Sequence, residues 1–139
     1  MIIPFLLTLN HFFADFFCQT DKMAINKSTS NKWLTIHVLT YMIAFFPFVL
    51  YMEVSINGWN WSVTDSPNAL LWWFSNGVLH WITDFFTSRL TSYLYVRGEK
   101  NPKELFMGHS WRHWFFTAIG GDQVIHYFCL FFTYQYFIS

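Results

Sequence analysis

The sequence predicts an all-α protein, a four-helix bundle integrated in a membrane. Hydrophobic residues make up 54% of the 139 residues and charged residues only 12%, about half of the roughly 25% that soluble domains carry. The apolar residues are gathered into four long runs, with Lys and Arg concentrated in alternate loops between them. Because aromatic residues reach 24%, a disordered chain is excluded and a soluble monomer is disfavoured.

Each run is long enough to cross, or nearly cross, the hydrocarbon core of a bilayer. The predicted spans are residues 3–20, 33–52, 68–96 and 114–138, within a single transmembrane domain of residues 1–139. Pro47 is expected to kink the second span, which membrane helices tolerate, and Gly120-Gly121 either begins or interrupts the fourth. Residues 103–116 are predicted to form an amphipathic helix at the membrane interface.

Loop charges predict the orientation of the spans. The first and third loops carry seven Lys and Arg residues, whereas the second loop, residues 53–67, carries none. The positive-inside rule therefore places the first and third loops in the cytoplasm and both termini outside it. Aromatic residues near the span ends fit a belt at the two membrane surfaces. They are Trp33, Tyr51, Trp59, Trp61, Trp72, Trp73, Tyr93, Tyr95 and Trp111.

The net charge and the cysteines exclude other classes. Lys and Arg number 8, as do Asp and Glu, giving a net charge of +0, so no nucleic-acid partner is predicted. Cys18 and Cys129 lie in apolar runs and are interpreted as small buried hydrophobic residues, not as a disulfide. The expected partners are the lipid bilayer, a lipid or phosphorylated substrate, and further copies of the chain.

Ionisable side chains lie inside the apolar runs, where a bilayer penalises them. Three His–Asp pairs have partners four residues apart, and His37 lies in the second span. Residues i and i+4 share one face of a helix, so each pair can present two ligands to one point. The pairs are His11 with Asp15, His80 with Asp84, and Asp122 with His126.

The depths of these seven residues agree. Counted at 1.5 Å per helical residue from the basic loops, each lies toward the cytoplasmic side of its span. Four imidazoles and three carboxylates at one level favour a site for a divalent metal, and an ion would offset the buried acidic charge. We predict one or two ions, zinc first, with manganese or iron as alternatives. A structural hydrogen-bond network or a proton relay is the competing interpretation.

Neighbouring polar residues are predicted to support the site. Three of them would orient the ligands from a second layer: Gln19, Asn76 and Gln123. Lys27 and Arg89 are predicted to bind an anionic group of a substrate, although Arg89 could equally anchor its span at the interface. His109 and His113 are interpreted as interfacial residues, because Arg112 lies between them in a basic, aromatic segment.

Four stretches carry a family resemblance: HFFADFFCQTDKMAINK (residues 11–27), HVL from His37, HWITDFF from His80 and DQVIH from Asp122. Through them the chain resembles a family of uncharacterised small multi-pass membrane proteins of bacteria and their phages. This resemblance implies the inner membrane of a bacterium or phage host as location. It also implies that the His and Asp residues above, with Gln19 and Gln123, form the family's polar set.

The His and Asp residues on apolar helices also resemble, more loosely, those of membrane-bound metal-dependent hydrolases. The first functional hypothesis is therefore a membrane-embedded hydrolase that acts on a lipid head group or a phosphorylated, amphipathic substrate from the cytoplasmic side. Asp15, Asp84 and Asp122 are the candidate catalytic acids, any one not bound to metal serving as general base. The alternatives are a transporter or channel for metal ions or protons, and a non-enzymatic accessory protein of a phage or bacterium.

Overall fold

The computed structural model describes residues 2–58 and 67–138, which form five α-helices, a π-helical turn and a short hairpin. The helices are α1 (Ile2–Phe12), α2 (Asp21–Asn26), α3 (Asn31–Asn57), α4 (Pro67–Lys100) and α5 (Trp111–Phe137). The π-helical turn (Phe13–Phe17) continues α1, and the hairpin pairs β1 (Leu105–Phe106) with β2 (His109–Ser110). The predicted all-α class is confirmed, and among the described residues only the hairpin departs from it.

Side-chain caps and one glycine set the helix ends. The Thr20 hydroxyl accepts a hydrogen bond from the Met23 N–H at the start of α2, and Ser110 Oγ accepts one from the His113 N–H at the start of α5. Both residues satisfy a backbone donor that the first helical turn leaves free. Gly58 follows α3 with a φ of 79°, a conformation that glycine adopts without steric strain.

Helix α4 lies at the centre of the packing and contacts both α3 and α5. Its buried face includes Trp72, Asn76, His80, Asp84 and Ser88, which recur every four residues. This stripe starts with an aromatic residue and continues with polar ones. The helix therefore buries a polar seam in its middle and second half, next to an apolar core in its first half.

The apolar core fills the space between α1, α3, α4 and α5. It includes Leu7, Phe45, Val49, Trp72 and Leu130, each at most 1% exposed. The outer faces of the same helices are also apolar, with Phe5, Ile43, Phe74, Phe86 and Phe128 among the large exposed side chains. Within the described part of the chain, α3 (over Asn31–Ser55) and α5 are long and apolar enough to cross a membrane.

The predicted amphipathic helix over residues 103–116 is wrong in its first part. Residues 105–110 form the hairpin instead, and α5 begins directly after it at Trp111. Met107 and Gly108 occupy the two turn positions with φ values of 50° and 80°. Two consecutive positive φ angles match a tight turn between antiparallel strands and cannot be accommodated in a right-handed helix.

Other boundaries differ from the prediction by a few residues. Helix α5 continues through Gly120-Gly121 without a break, so these glycines neither begin nor interrupt it. Helix α3 continues through Pro47 and past residue 52, which places Glu53 in a helix and not in the second loop. Glu53 is buried there. Trp59 and Trp61 of the predicted aromatic belt lie outside the described residues.

Candidate metal centre

The seven predicted His and Asp side chains meet at one place in the fold. We call them the His/Asp cluster: His11, Asp15, His37, His80, Asp84, Asp122 and His126. Six of the seven are at most 4% exposed, and Asp122 is half-buried. They come from α1 and its π-helical turn, from α3, from α4 and from α5. Residues more than 100 positions apart are therefore brought into contact by the packing of four chain segments.

The π-helical turn redirects Asp15. In this turn the Cys18 N–H bonds to the Phe13 carbonyl, five residues earlier, which widens the helix locally. Asp15 Oδ1 lies 3.1 Å from His37 Nε2 and 3.4 Å from His80 Nε2, whereas Asp15 Oδ2 lies 3.9 Å from His11 Nε2. The carboxylate is thus closer to the histidines of α3 and α4 than to the one on its own helix.

Three atoms form a nearly equilateral triangle. Asp15 Oδ1, His37 Nε2 and His80 Nε2 are separated by 3.1, 3.4 and 3.3 Å. Ligands placed 2.0–2.1 Å from a tetrahedral zinc ion lie about 3.3 Å from one another. Asp15 Oδ1 makes no hydrogen bond of good geometry within the described residues. The His37 and His80 nitrogens lie within hydrogen-bond distance of each other, so one edge of the triangle is also a hydrogen bond in the absence of an ion. Oxygen and imidazole nitrogen also suit manganese and iron.

Asp84 connects this triangle to the rest of the cluster. Its Oδ2 lies 3.1 Å from His37 Nε2 and 3.8 Å from His80 Nε2, and its Oδ1 lies 3.7 Å from His126 Nε2. The same Oδ2 accepts a hydrogen bond of 2.8 Å from the ammonium of Lys27. Since the atoms of His80, Asp84 and His126 also lie within ligand spacing, the cluster contains two overlapping groups that could hold an ion.

The His11 and His126 rings each have a contact partner at Nδ1. His126 Nδ1 lies 3.0 Å from the main-chain carbonyl oxygen of Asp122. Because that oxygen can only accept, Nδ1 carries a proton, and in the neutral ring the lone pair is then on Nε2. His11 Nδ1 contacts the Tyr41 hydroxyl at 3.1 Å. The Nε2 atoms of both histidines are buried and have no hydrogen-bond partner in residues 2–58 and 67–138. Such orphaned nitrogens favour ligation.

A cavity of about 650 Å³ opens beside the cluster. Asp15, Asp84, Asp122 and Lys27 line it. Hydroxyl groups follow one side of α4 along the cavity, and apolar residues complete the wall. The hydroxyl-bearing residues are Thr87, Ser88, Thr91 and Ser92, and the apolar ones include Phe16, Ile25, Phe115 and Ile119. The cavity lining therefore combines the acidic groups of the cluster with polar hydroxyl groups and apolar side chains.

The side of the cluster away from the cavity is closed. The Tyr41 ring stacks on His80 with centroids 4.1 Å apart, and Phe45 packs between Tyr41 and Trp72. All three rings are at most 3% exposed. Among the described residues, the cavity therefore reaches the three aspartates of the cluster from the other side, where α4 continues toward Tyr95.

The predicted supporting residues divide into two sets. Gln123 donates hydrogen bonds to Asp15 Oδ2 and Asp122 Oδ2, and Gln19 lines the cavity with a buried Oε1. Asn76 instead bonds to Thr133, one helical turn before His80. Arg89 donates to the Phe85 carbonyl and to Asn31 Oδ1.

Arg89 and two of the histidines thus lie apart from the cluster. The Arg89 contacts join α4 to the start of α3, so substrate binding by Arg89 stays a prediction. His109 and His113 stack on each other at the hairpin, with centroids 4.3 Å apart, and neither contributes to the cluster.

Two aromatic residues also contact the His/Asp cluster, although neither was predicted from the sequence. Tyr41 contacts both His11 and His80, and Tyr127 packs edge-on against His11 with centroids 5.1 Å apart. Tyr41 lies four residues after His37, so the spacing that identified the His–Asp pairs could have identified it too. Tyr127 follows His126 directly, and helical spacing offers no equivalent signal for it.

Comparisons with curated proteins and with solved structures give no match. One family model does match, and it covers residues 2–139, which include every residue of the His/Asp cluster. The chain therefore belongs to the family described as "Protein of unknown function (DUF3307)".

Proposed function

We propose that this protein is a membrane-embedded, metal-dependent hydrolase whose substrate is a lipid head group or another phosphorylated, amphipathic molecule. The observation that carries the proposal is the triangle of Asp15 Oδ1, His37 Nε2 and His80 Nε2 beside a cavity lined by three aspartates. Its edges match the ligand spacing of a tetrahedral ion, and Asp15 connects the triangle to the cavity.

Asp15, His37 and His80 would hold a divalent ion, which would supply Lewis acidity and lower the pKa of a bound water. In the hydrolysis, the water oxygen forms a bond to phosphorus while the bond to the leaving oxygen breaks. Asp122 is the best candidate for general base, because it is half-buried, lines the cavity and lies outside the triangle. It takes the water proton, which then passes to the leaving oxygen.

The cavity walls indicate the kind of substrate. Among the described residues that line the cavity, Lys27 carries the one cationic group, and its ammonium lies 2.8 Å from Asp84 Oδ2. It is placed to pair with a phosphate oxygen of a bound substrate. The hydroxyl groups of α4 suit a polar head group, and Phe16, Ile25, Phe115 and Ile119 suit an acyl or other apolar part.

Membrane insertion is part of the same proposal. Helices α3 and α5 have the length and composition of spans, and we propose that α1 and α4 complete a four-span bundle with both termini outside the cytoplasm. The basic residues of the α2 region and of the hairpin region then face the cytoplasm. Large apolar side chains on the outer helix faces are consistent with lipid contact.

Elemental analysis of the purified protein tests the metal. The protein is isolated in detergent micelles without chelator, and bound zinc, manganese and iron are counted for the wild type, His80→Ala and the matched control His113→Ala. We expect metal in the wild type and in the control, and a loss in His80→Ala. A wild type without metal, even after zinc is supplied, contradicts the proposal and leaves a structural network that holds the helices together.

Turnover tests the reaction. Zinc-loaded protein is incubated with mixed micelles of phospholipids and of lipid phosphates, and released head group or inorganic phosphate is measured, with Asp122→Asn as the inactive comparison. A protein that binds metal, hydrolyses none of these and carries the ion into sealed liposomes would instead be a transporter. The buried rings of Tyr41, Phe45 and Trp72 oppose that alternative, because they close the path on the far side of the cluster.

A further inference from the structure

Unpaired hydrogen-bond acceptors are concentrated in the cavity lining. Among the described residues that line it, five buried side-chain atoms have no hydrogen-bond partner. They are Asp15 Oδ1, Gln19 Oε1, Ser88 Oγ, Asp122 Oδ1 and Gln123 Oε1. All except the serine hydroxyl can only accept a hydrogen bond. The proposed metal accounts for Asp15 Oδ1, but it leaves the two glutamine oxygens and the serine hydroxyl without a partner.

The contacts of Gln123 fix which end of its amide is free. Its Nε2 donates to Asp15 Oδ2 at 3.3 Å and to Asp122 Oδ2 at 3.1 Å. Because carboxylate oxygens accept, the amide nitrogen faces the two aspartates and both of its hydrogens are used. The amide oxygen is then the part of Gln123 that remains for another molecule, and it requires a donor.

The hydroxyl groups of α4 add further acceptors along the cavity. Thr87 donates its hydroxyl hydrogen to the Thr83 carbonyl at 2.9 Å, and Thr91 donates to the Ser88 carbonyl at 3.0 Å. A hydroxyl has one hydrogen and two lone pairs, so both threonine oxygens are left as acceptors. Ser88 is 7% exposed and its own hydroxyl makes no hydrogen bond in the described structure. These groups span about 6 Å of the helix axis.

We infer that the substrate carries a hydroxyl-rich polar group, the glycerol or sugar of a phospholipid head group, which binds to Gln19, Ser88 and Gln123. This inference rests on the proposed function and names the substrate class of the same cavity. A buried acceptor without a donor destabilises the protein, and a ligand that supplies the donor removes this penalty. Each hydroxyl of the ligand supplies one donor.

Hydroxyl groups match this lining better than an ammonium group does. An ammonium concentrates its donors at one point, whereas the free acceptors come from α4, from α5 and from Gln19 before α2. An ammonium would also meet the like charge of Lys27, which lines the same cavity. The Ser88 hydroxyl can accept from one ligand hydroxyl and donate to the next, which a head group without hydroxyls cannot use in the same way.

Binding of phospholipids with matched charge tests the inference. The full-length chain is kept in micelles of dodecyldimethylamine oxide, whose head group has no hydroxyl, with chelator present so that binding is measured without turnover. Calorimetric titration gives Kd for dihexanoyl phosphatidylglycerol, phosphatidylinositol and phosphatidylmethanol, which carry the same charge, and for phosphatidylethanolamine. We expect the glycerol or the inositol lipid to bind at least about tenfold more tightly than phosphatidylmethanol, and the comparison of the two identifies the kind of polyol.

Two variants test which residues recognise the hydroxyl groups. Ser88→Ala and Gln19→Leu should each reduce the preference over phosphatidylmethanol to roughly threefold or less, with the Kd of phosphatidylmethanol unchanged. Ser75→Ala is the matched control, because Ser75 lies on α4 and lines a different groove; it should keep the full preference. The comparison of lipids on the wild type needs no variant to fold.

The outcomes separate this inference from the proposed function. Equal Kd values for the three lipids of matched charge overturn the inference, as does tightest binding of phosphatidylethanolamine. Hydrolysis of all four lipids with equal kcat/KM after zinc is supplied also overturns it and leaves the proposed function in place. The expected preference without any hydrolysis contradicts the proposed function alone. A chain that binds none of the four lipids contradicts both.

Discussion

Lys27 Nζ donates a 2.8 Å hydrogen bond to Asp84 Oδ2, the carboxylate oxygen that also lies 3.1 Å from His37 Nε2. The ammonium lies 3.4 Å from the same His37 nitrogen. A lysine at the end of α2 thus reaches atoms that an ion in the triangle would also approach. An ion bound in the triangle would compete with the lysine for this position, because an oxygen next to an ammonium binds a divalent cation less well.

Lys27→Met should separate the two roles of this lysine. Removing the ammonium relieves repulsion of a divalent cation, so we expect zinc affinity to rise roughly tenfold or more. Hydrolysis of an anionic substrate should fall, since the partner for its phosphate is lost. Zinc affinity is measured by competition with a chromophoric chelator, and Lys22→Met, on the exposed face of the same helix, is the control. Weaker zinc binding in Lys27→Met would show that the lysine supports the site instead of competing with the ion.

Metal removal should lower the free energy of unfolding. A ligand that binds only the folded state at 100 times its Kd stabilises that state by about 2.7 kcal/mol. We therefore expect the wild-type Tm in micelles to fall after chelation and to recover when zinc is returned. His80→Ala should give the same Tm with and without zinc. Equal Tm values for chelated and zinc-loaded wild type would contradict binding at the cluster.

The composition of the cluster was predictable because its members obey helical spacing. Each of the three pairs shares a helix face: His11 with Asp15, His80 with Asp84, and Asp122 with His126. Ionisable faces of helices in a membrane turn toward the interior of the bundle. The prediction identified which residues turn inward. It did not identify which atoms pair, since Asp15 contacts histidines of α3 and α4 more closely than its own neighbour His11. That preference follows from the π-helical turn, for which the run of Phe residues gives no sequence signal.

Other differences between the predicted and the observed structure also arise from contacts between distant parts of the chain. Asn76 extends the stripe of His80 and Asp84, yet α5 presents Thr133 to it, and spacing along α4 says nothing about the opposing helix. Arg89 lies close to Asp84 in sequence, but Asn31 at the start of α3 binds its guanidinium. The hairpin replaced a predicted helix because the backbone at Met107 and Gly108 turns left-handed. The pattern of apolar residues does not predict a left-handed backbone at these two positions.

Two glycines should respond in opposite directions to an added side chain. A Cβ at Gly77 would overlap the Met42 side chain across the contact of α3 and α4, whereas a Cβ at Gly120 would meet nothing within 4 Å. We expect Gly77→Val to destabilise the fold by about 1–3 kcal/mol through overpacking. Gly120→Ala should stabilise α5 by about 0.5–1 kcal/mol. Thermal unfolding in micelles measures both, and equal effects would argue against close packing at Gly77.

Cysteine labelling should establish the sidedness of the helices. In a background with Cys18→Ala and Cys129→Ala, we expect cysteines placed at Ser28 and Glu104 to react with a membrane-impermeant maleimide only from the cytoplasmic side. A cysteine at the exposed Ser55, near the other end of α3, should react only from the opposite side. Labelling is compared in sealed spheroplasts and inverted vesicles. Reaction of all three positions from one side would contradict the proposed span formed by α3.

Tyr41→Phe should weaken metal binding without dismantling the core. The substitution removes the hydroxyl that contacts His11 Nδ1 at 3.1 Å and keeps the ring that stacks on His80. Loss of an outer partner of a metal-bound histidine lowers metal affinity about 10–100-fold, while loss of one hydrogen bond changes the free energy of unfolding by about 1 kcal/mol. Zinc competition titrations and unfolding of the metal-free protein measure the two effects separately. Tyr51→Phe, on the exposed face of the same helix, is the matched control and should change neither. If Tyr41→Phe lowers stability but leaves zinc affinity at the wild-type value, His11 is held for packing and is not a ligand, because a ligand released from its orienting partner must bind less well.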